Sequence, residues 1–306
     1  MRFKRLDLNL LVALDLMLRL RSISRAAEQM NMSQSAMSNA LTRLRQYFDD
    51  PLLVQVGRRL ELTPRAEAMQ DAVRDILVRV DAAISAESEF DPAQSSRQFS
   101  ILLSDFTMQV LMPHVLRLAY EASPTIRFRL LPQQTFPYLE IDRGEADLLV
   151  APKIFSSPEH PWTPLFEDDY CCVVWSEGAH AGKELTVKDF AEAGHVRMVP
   201  STGAMSFEDQ FMERRGIARR IETTSYSFTS LPYLVVGTDR IATVHGLIAR
   251  QAKRQLPIEI HPLPFEWVRL DEVLQWHGHR SRDAGLVWLR GIFEQAAREM
   301  TEQVDH

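Results

Sequence analysis

At 306 residues the chain is long enough for two or three domains with sizeable cores. Its mix of 45% hydrophobic and 25% charged residues is ordinary for a globular protein, and no run approaches the ~20 apolar residues of a membrane span. Residues 1–65 hold eleven Lys or Arg against six Asp or Glu, a net of +5, while the whole chain is −6, so the remainder carries −11. A basic N-terminal module on an acidic body points to a polyanion partner for the first module only.

The N-terminus, MRFKRLDLNLL, runs straight into a charged helical pattern rather than a signal peptide, so a cytoplasmic protein with no membrane partner is expected. Leu10, Leu11, Leu14 and Leu18 give the apolar face of a first helix over Leu8–Leu20. Ser22-Ile23-Ser24 breaks it, and Ser24 reads as the cap of a short helix from Arg25 to Met30. Its Ala26-Ala27 pair allows close packing. After the turn Asn31-Met32, Ser33 caps a helix that runs to Phe48. Met37, Ala40, Leu41, Leu44 and Phe48 form its apolar stripe. Gln34, Ser38, Thr42 and Arg45 form a polar stripe, flanked by Ser35, Asn39, Arg43 and Gln46. No acid occurs between Glu28 and Asp49. A face of amides, hydroxyls and arginines without carboxylates suits the major groove and its phosphates. Helix, tight turn, helix is the helix-turn-helix pattern, although a generic helical hairpin has the same spacing.

In residues 50–62, two short apolar runs flank Gly57-Arg58-Arg59, which reads as a hairpin wing with a basic tip. Thr63-Pro64 then starts a helix reaching about Glu87. Its Ala66, Met69, Val73, Ile76, Val80 and Ala83 make a heptad seam, with Leu77 and Ile84 alongside, so this helix is expected to pair with a second copy of itself. Residues 88–97, polar with one proline, read as a hinge.

From Gln98 the pattern becomes alternating strands and helices. Strands are predicted at Phe99–Ser104, Ile126–Leu131, Ala146–Ala151, Tyr170–Trp175, Val196–Val199, Ile221–Tyr226, Ile241–Val244, Ile258–Leu263 and Glu272–Trp276. Helices fall between them, including Met108–Ala122, and Leu286–Glu299 closes the chain. Repeated βα units imply mostly parallel sheets in two small lobes, an α/β architecture. Cys171 and Cys172 are adjacent strand residues whose side chains point to opposite faces, so they read as two thiols rather than a disulfide.

Ala26-Ala27-Glu28, then Met32-Ser33-Gln34-Ser35-Ala36-Met37-Ser38, Leu41, Arg43-Leu44, Gly57-Arg58 and Leu62-Thr63-Pro64-Arg65-Ala66 resemble the N-terminal signature of LysR-type transcriptional regulators. Phe3–Leu14, Arg97–Phe106, Gly144–Asp147, Gly194–Val196 and Gly237–Thr243 resemble the NodD- and NahR-type branch, whose activators respond to flavonoids, salicylate and other aromatic compounds. The resemblance implies a winged helix-turn-helix at 1–62, a dimerising linker helix at 63–87, a hinge at 88–97 and a periplasmic-binding-protein-like effector domain at 98–306. In that domain lobe I covers about 98–166 and 268–306, and lobe II about 167–267. It further implies a homotetramer made as a dimer of dimers on double-stranded DNA, with RNA polymerase as a further partner. By match to the motif, Gln34, Ser38, Thr42 and Arg43 meet bases or phosphates, with Ser35 and Asn39 beside them. Ser33 caps the helix, and Arg58 is the wing contact. Many members have proline where this chain has Ser35; either residue is allowed in a first turn, so binding should survive while the operator could differ.

An effector would lie between the lobes, at strand C-termini and helix N-termini. Three stretches supply it: Ser104, Phe106 and Thr107; Ser201 and Thr202; and Ser227 and Phe228. His195 lies at the motif position nearest the cleft in this branch, whereas His160 and His245 read as surface or strand histidines. Apart from Asp105 these loops are poor in charge, which suits a neutral or singly anionic aromatic ligand. Ser and Thr before helices are also simple caps. The chain has no G-x-S-x-G, P-loop, G-x-G-x-x-G or H-E-x-x-H motif, so no catalytic residue, metal or cofactor is expected. The expected function is effector-controlled transcription regulation. The alternative is a two-lobed small-molecule carrier whose N-terminal helices serve only oligomerisation.

Overall fold

The structure is a computed structural model that describes residues 6–84, 90–200, 203 and 205–304. The chain divides into two compact units: Met1–Ala86 with Asp142–Gly144 forms one, and Glu87–Ile141 with Glu145–His306 forms the other.

The first unit holds α1 (Leu8–Leu20), α2 (Ile23–Gln29), α3 (Gln34–Phe48), the hairpin β1 (Leu53–Val56) and β2 (Arg59–Leu62), and α4 (Pro64–Ile84). Leu10, Leu14, Met17, Leu18, Ala26, Ala27, Met37, Leu41, Leu44, Leu52 and Leu53 form one buried core, so the periodic apolar residues of three helices and the wing base meet as their spacing requires. Asp7 caps α1, its carboxylate accepting from the Leu10 N–H at 2.8 Å. The second helix is capped by Ser22, not Ser24: Ser22 is extended and its hydroxyl accepts from the Arg25 N–H at 3.3 Å, which leaves Ser24 inside the first turn. Ser33 caps α3 and Thr63 caps α4, accepting from the Ala36 and Ala66 N–H groups.

The seam on α4 is divided. Ala66 and Val73 are buried in the unit's own core, with Met69 and Leu77 packed on it, and α4 lies against α1. Ile76 and Ile84 remain exposed. The first half of the predicted self-pairing seam therefore already has a partner in its own chain.

The second unit contains two five-stranded sheets. One has the order β4-β3-β5-β12-β6, from β3 (Gln98–Leu103), β4 (Arg127–Pro132), β5 (Leu148–Pro152), β6 (Trp162–Asp168) and β12 (Leu270–Gln275). The other has the order β11-β7-β10-β8-β9, from β7 (Tyr170–Trp175), β8 (Gly194–Met198), β9 (Arg220–Ser225), β10 (Ile241–His245) and β11 (Ile258–Pro262). Helices α5 (Asp105–Val110), α6 (Met112–Ala122), α7 (Tyr138–Asp142) and α12 (Ala284–Val304) cover the first sheet, and α8 (Val187–Glu192), α9 (Phe207–Arg214), α10 (Leu231–Val235) and α11 (Gly246–Lys253) the second. Both sheets are mixed, against the mostly parallel expectation. In the first, β3 runs parallel to β4 and β5, while β12 opposes β5 and β6; in the second, β8 runs parallel to β9 and β10, while β7 opposes β10 and β11. The reversed strands are those at the crossovers: β7 follows β6 directly out of the first sheet, and β12 returns to it from β11.

The predicted helix Met108–Ala122 is two helices, α5 and α6, interrupted at Leu111. Pro113 has no N–H to give and crowds the carbonyl four residues back, so the helix must restart with Pro113 in its first turn. Strand β6 was not foreseen. It is an edge strand containing Pro164, and proline is tolerated there because the N–H on that side has no ladder partner. Among the described residues no helix is long and apolar enough to cross a membrane.

Candidate DNA-reading surface and effector cleft

Helix α3 buries Met37, Ala40, Leu41 and Leu44 and leaves Gln34, Ser35, Asn39, Thr42, Arg43 and Gln46 exposed, with Ser38 half-buried. The structure thus brings the sequence-selected polar residues to one accessible face. Ser33 is occupied as cap and its hydroxyl lies 2.9 Å from that of Ser35. The Thr42 hydroxyl donates back to the Ser38 carbonyl at 3.1 Å, so its methyl is the outward group. The Arg43 guanidinium lies 3.4 Å from the Asp7 carboxylate, with both side chains more than half exposed; such a pair is weak and gives way easily to a phosphate.

Arg45 departs from the sequence picture. Its guanidinium donates to the Pro51 and Leu53 carbonyls, both at 2.8 Å, and so clamps the wing to α3 although the residue stays exposed. Asp50 does similar work, unforeseen. Its carboxylate accepts from the Thr63 hydroxyl and from the Leu52 N–H, both at 2.7 Å, and these bonds hold its pKa below the usual carboxylate range. They fix Leu52, fully buried in a left-handed conformation (φ 60°), which costs a leucine about 1–2 kcal/mol. Asp-Pro ahead of an apolar run was a readable turn signal; the strain was not. In the wing, Val56 pairs with Arg59, leaving Gly57 and Arg58 as a two-residue tip. Gly57 takes the positive φ that leads such a turn, and both arginines are exposed.

The candidate effector cleft lies where β3 and β10 end. Ser104 caps α5: its hydroxyl accepts from the Thr107 N–H, and the two hydroxyls lie 3.1 Å apart. Thr107 is fully buried and donates to the Ser104 carbonyl. Both therefore behave as a cap pair. Phe106 is buried and stacks face to face on His245, with ring centroids 3.8 Å apart and planes 4° from parallel. Phe228, from the other lobe, meets the same imidazole edge-on at 4.8 Å. Ser227 joins the cleft by donating to the Asp105 carboxylate at 2.7 Å; Thr229 adds its N–H at 3.1 Å and its hydroxyl at 3.3 Å. One carboxylate oxygen of the first lobe thus holds a loop of the second.

His195 does not join this set. It lies at the start of β8, away from the C-terminal strand ends, fully buried with Nε2 2.7 Å from the Phe190 carbonyl and its ring edge-on to Phe190. Burial pushes its pKa down to about 4, so it is a neutral packing residue. Ser201 and Thr202 lie outside the described residues. The histidine of the cleft is His245, at the C-terminal end of β10, which sequence reasoning left as a strand residue. A histidine closing an apolar strand and followed directly by a glycine-led helix was the available signal.

Around His245 lies a buried polar cluster. The Tyr170 hydroxyl is 3.2 Å from Nε2, and the Asp168 carboxylate is 3.8 Å from Nδ1. Burial pushes His245 down to about 3, so the latter contact is no ion pair at neutral pH. Burial pushes Asp168 up to about 7, against the Leu247 N–H and the Arg250 guanidinium 3.6 Å away. Glu272, on β12 opposite Phe166, is pushed up to about 8 by burial and by the nearby Asp168.

A winged helix-turn-helix with an acid-free exposed face, followed by a two-lobed domain with an aromatic cleft, is the build of a ligand-responsive DNA-binding regulator. Comparison with known proteins makes the class specific. The profile "Bacterial regulatory helix-turn-helix protein, lysR family" matches residues 8–67, and "LysR substrate binding domain" matches residues 92–298. The chain belongs to the LysR family of transcriptional regulators, which sets aside the carrier reading. "Nodulation protein D 1" of Mesorhizobium japonicum is 39% identical over 306 residues, covering 100% of this chain and 98% of that protein. A probable transcriptional regulator from Pseudomonas aeruginosa superposes with a TM-score of 0.65 at 26% identity, over 96% of this chain and 98% of that one. Full-length CbnR in complex with its target DNA has a TM-score of 0.59 at 17% identity, over 96% of this chain and 100% of that one.

Proposed function

We propose that this regulator binds an interrupted palindrome on double-stranded DNA as a homotetramer, and that a small aromatic effector between the lobes changes the spacing of its DNA-binding pairs. The observation that carries the reading is the exposed acid-free face of α3 beside the Gly57-Arg58 tip. Gln34, Ser38, Asn39, Thr42 and Arg43 read the groove, Ser33 and Ser35 set the helix start, and Arg58 meets a phosphate or the minor groove. Dimerisation runs through the helix at 63–87; the exposed Ile76 and Ile84 support this. The hinge at 88–97 then leads to the effector domain at 98–306. Ser104, Phe106, Thr107, Ser227 and Phe228, with Ser201 and Thr202, line the effector site, and the aromatic walls around His245 support an aromatic ligand. The protein works in the cytoplasm, regulates without catalysing a reaction, and acts on RNA polymerase at the promoter.

Titrating random-sequence duplex with the full chain over a salt series tests the first half. Steeply salt-dependent binding of the wild type is expected, with a smaller slope for Arg58→Ala. A flat salt response would refute it. A thermal-shift screen of phenolic acids, hydroquinones and flavonoids tests the second half, and stabilisation by sugar phosphates or amino acids instead would refute it.

A further inference from the structure

We infer that the interlobe cleft takes an uncharged aromatic effector through one hydroxyl or carbonyl group, gripped by Glu272, His245 and Tyr170, and that it rejects aromatic carboxylates. This rests on the effector reading above and names the chemistry of that site.

Four observations converge. Glu272 is 2% exposed, and its Oε2 is buried with no hydrogen-bond partner. Its one charged influence is another carboxyl, Asp168; no cation offsets it. His245 is equally buried, and its Nδ1 is likewise without a hydrogen bond while Nε2 faces the Tyr170 hydroxyl. Two residues earlier on β10, and so on the same face, the buried Thr243 hydroxyl also has no partner. Unpartnered buried polar atoms are uncommon in folded proteins, and these leave hydrogen-bonding capacity that a bound group can satisfy.

The groups come from both lobes. Glu272 lies beside Phe166 on the first sheet, Phe166 meets Phe106 edge-on at 6.1 Å, and Phe106 stacks on His245 of the second sheet. These rings pack on one another, so a ligand ring would take its place among aromatic neighbours with the unpartnered polar atoms beside them.

Charge decides the class. Glu208 and Glu272 both act electrostatically on the Tyr170 phenol, as does Asp168, so the floor is ringed by carboxyl groups. Nearby cations are engaged: Arg219 is held by Glu208 and Asp209, and the half-exposed Arg250 faces Asp168. Arg197 faces Asp209 at 3.4 Å, so among the described residues each guanidinium beside this cluster already faces a carboxylate, and a ligand carboxylate would enter beside several carboxyls at a desolvation cost with little compensation. Burial keeps Glu272 protonated and His245 neutral at neutral pH. Glu272 then donates to a ligand carbonyl, and His245 exchanges a hydrogen bond with a phenol.

Two matched pairs test this on the full chain by calorimetry and thermal shift: 4-hydroxyacetophenone against 4-hydroxybenzoate, and 7-hydroxychromone against its 2-carboxylate. In at least one pair the uncharged member is expected to bind about tenfold or more tightly than its carboxylate, a difference of the size an unpaired buried charge imposes. Glu272→Leu should weaken the uncharged ligand about tenfold, while Glu272→Gln, which keeps a donor and an acceptor, should stay within about threefold. Carboxylates that bind as tightly as their partners in both pairs, or a ligand indifferent to Glu272→Leu, overturn the inference. An arm without ligand compares melting of wild type and Glu272→Gln. The variant should gain several degrees over wild type as pH rises from about 5 to about 8, because only the wild type loses a bound proton at position 272 on unfolding. A pH-independent difference overturns the uncharged floor and leaves the effector reading standing. Silence from all four compounds and from the wider aromatic screen overturns the effector reading and this inference with it.

Discussion

Asp105→Ala removes the carboxylate that joins the two lobes, and its effect follows from the contacts that oxygen makes. Oδ2 accepts from the Ser227 hydroxyl at 2.7 Å, the Thr229 N–H at 3.1 Å and the Thr229 hydroxyl at 3.3 Å. Hydrogen bonds to a charged acceptor contribute about 1.5–3 kcal/mol each when well formed. The site is half-buried and the longest of the three is marginal, so the sum is smaller than three full bonds. The bonds also share one acceptor and do not add independently. A loss of about 2–3 kcal/mol is expected, or a fall of roughly 4–12 °C in the melting midpoint of the effector domain. Asp105→Asn keeps an acceptor without the charge and should lose about half as much. Urea unfolding of the full chain, followed by a probe in the second unit, measures both variants. A change under about 0.5 kcal/mol for Asp105→Ala, within the range of an ordinary surface substitution, would refute the idea that this carboxylate holds the lobes together.

Arg45→Ala should weaken DNA binding while leaving the salt slope at its wild-type value, because Arg45 clamps the wing through the Pro51 and Leu53 carbonyls; Arg58→Ala should lower the slope by about one. Equal slope changes would show that Arg45 meets phosphate directly. Leu14, 1% exposed in the core of the first unit, should cost about 2–5 kcal/mol when cut to alanine, read by thermal unfolding of the first unit. Asp168 has its pKa raised from 3.8 to about 7, so the stability it supplies is fully present below the lower value and is lost as pH rises toward the upper. Asp168→Asn carries no such proton, so its stability relative to wild type should climb across that window, with about 4 kcal/mol as the ceiling. Denaturation curves at the two ends of the window check the sign.

Much of the first unit was legible because its signals are local. Caps at Ser33 and Thr63, the stripe on α3 and the glycine-led wing tip each depend on a few adjacent residues, and each formed as read except that Arg59 joins β2 and leaves Gly57-Arg58 as the tip. Two misreadings there have clear causes. Ser22 and Ser24 are equally good caps by type, and the choice was made by the end of α1, where Arg21 turns left-handed and delivers Ser22 in extended conformation. Arg45 sits on the polar stripe by spacing, but a long guanidinium reaches back to carbonyls outside its own helix.

The second unit was less legible because its organisation is non-local. Hydrophobic periodicity gives a strand its faces but not its direction, so the mixed sheets could not be read. Proline in β6 argued against a strand, and only its edge position makes Pro164 acceptable. The cleft failed in the same way. Ser104, Phe106, Thr107, Ser227 and Phe228 came together, since each flanks a strand end or a helix start. His195 and His245 were exchanged because the deciding contacts, the Phe190 carbonyl and the Phe106 ring, come from different elements. Glu272 carried no signal: a lone glutamate in a strand is ordinary until its burial without a cation is seen.

The claim that matters most is that α3 selects the DNA address. Selection of binding sites by the full chain from a pool of random duplexes tests it directly, run beside a Gln34→Ala, Ser38→Ala double variant whose changed residues lie on the outward half of that helix. The account predicts that the wild type enriches one interrupted palindrome, and that the variant loses the enrichment while keeping salt-sensitive binding to unselected DNA. Enrichment of the same sequence by the variant would contradict it.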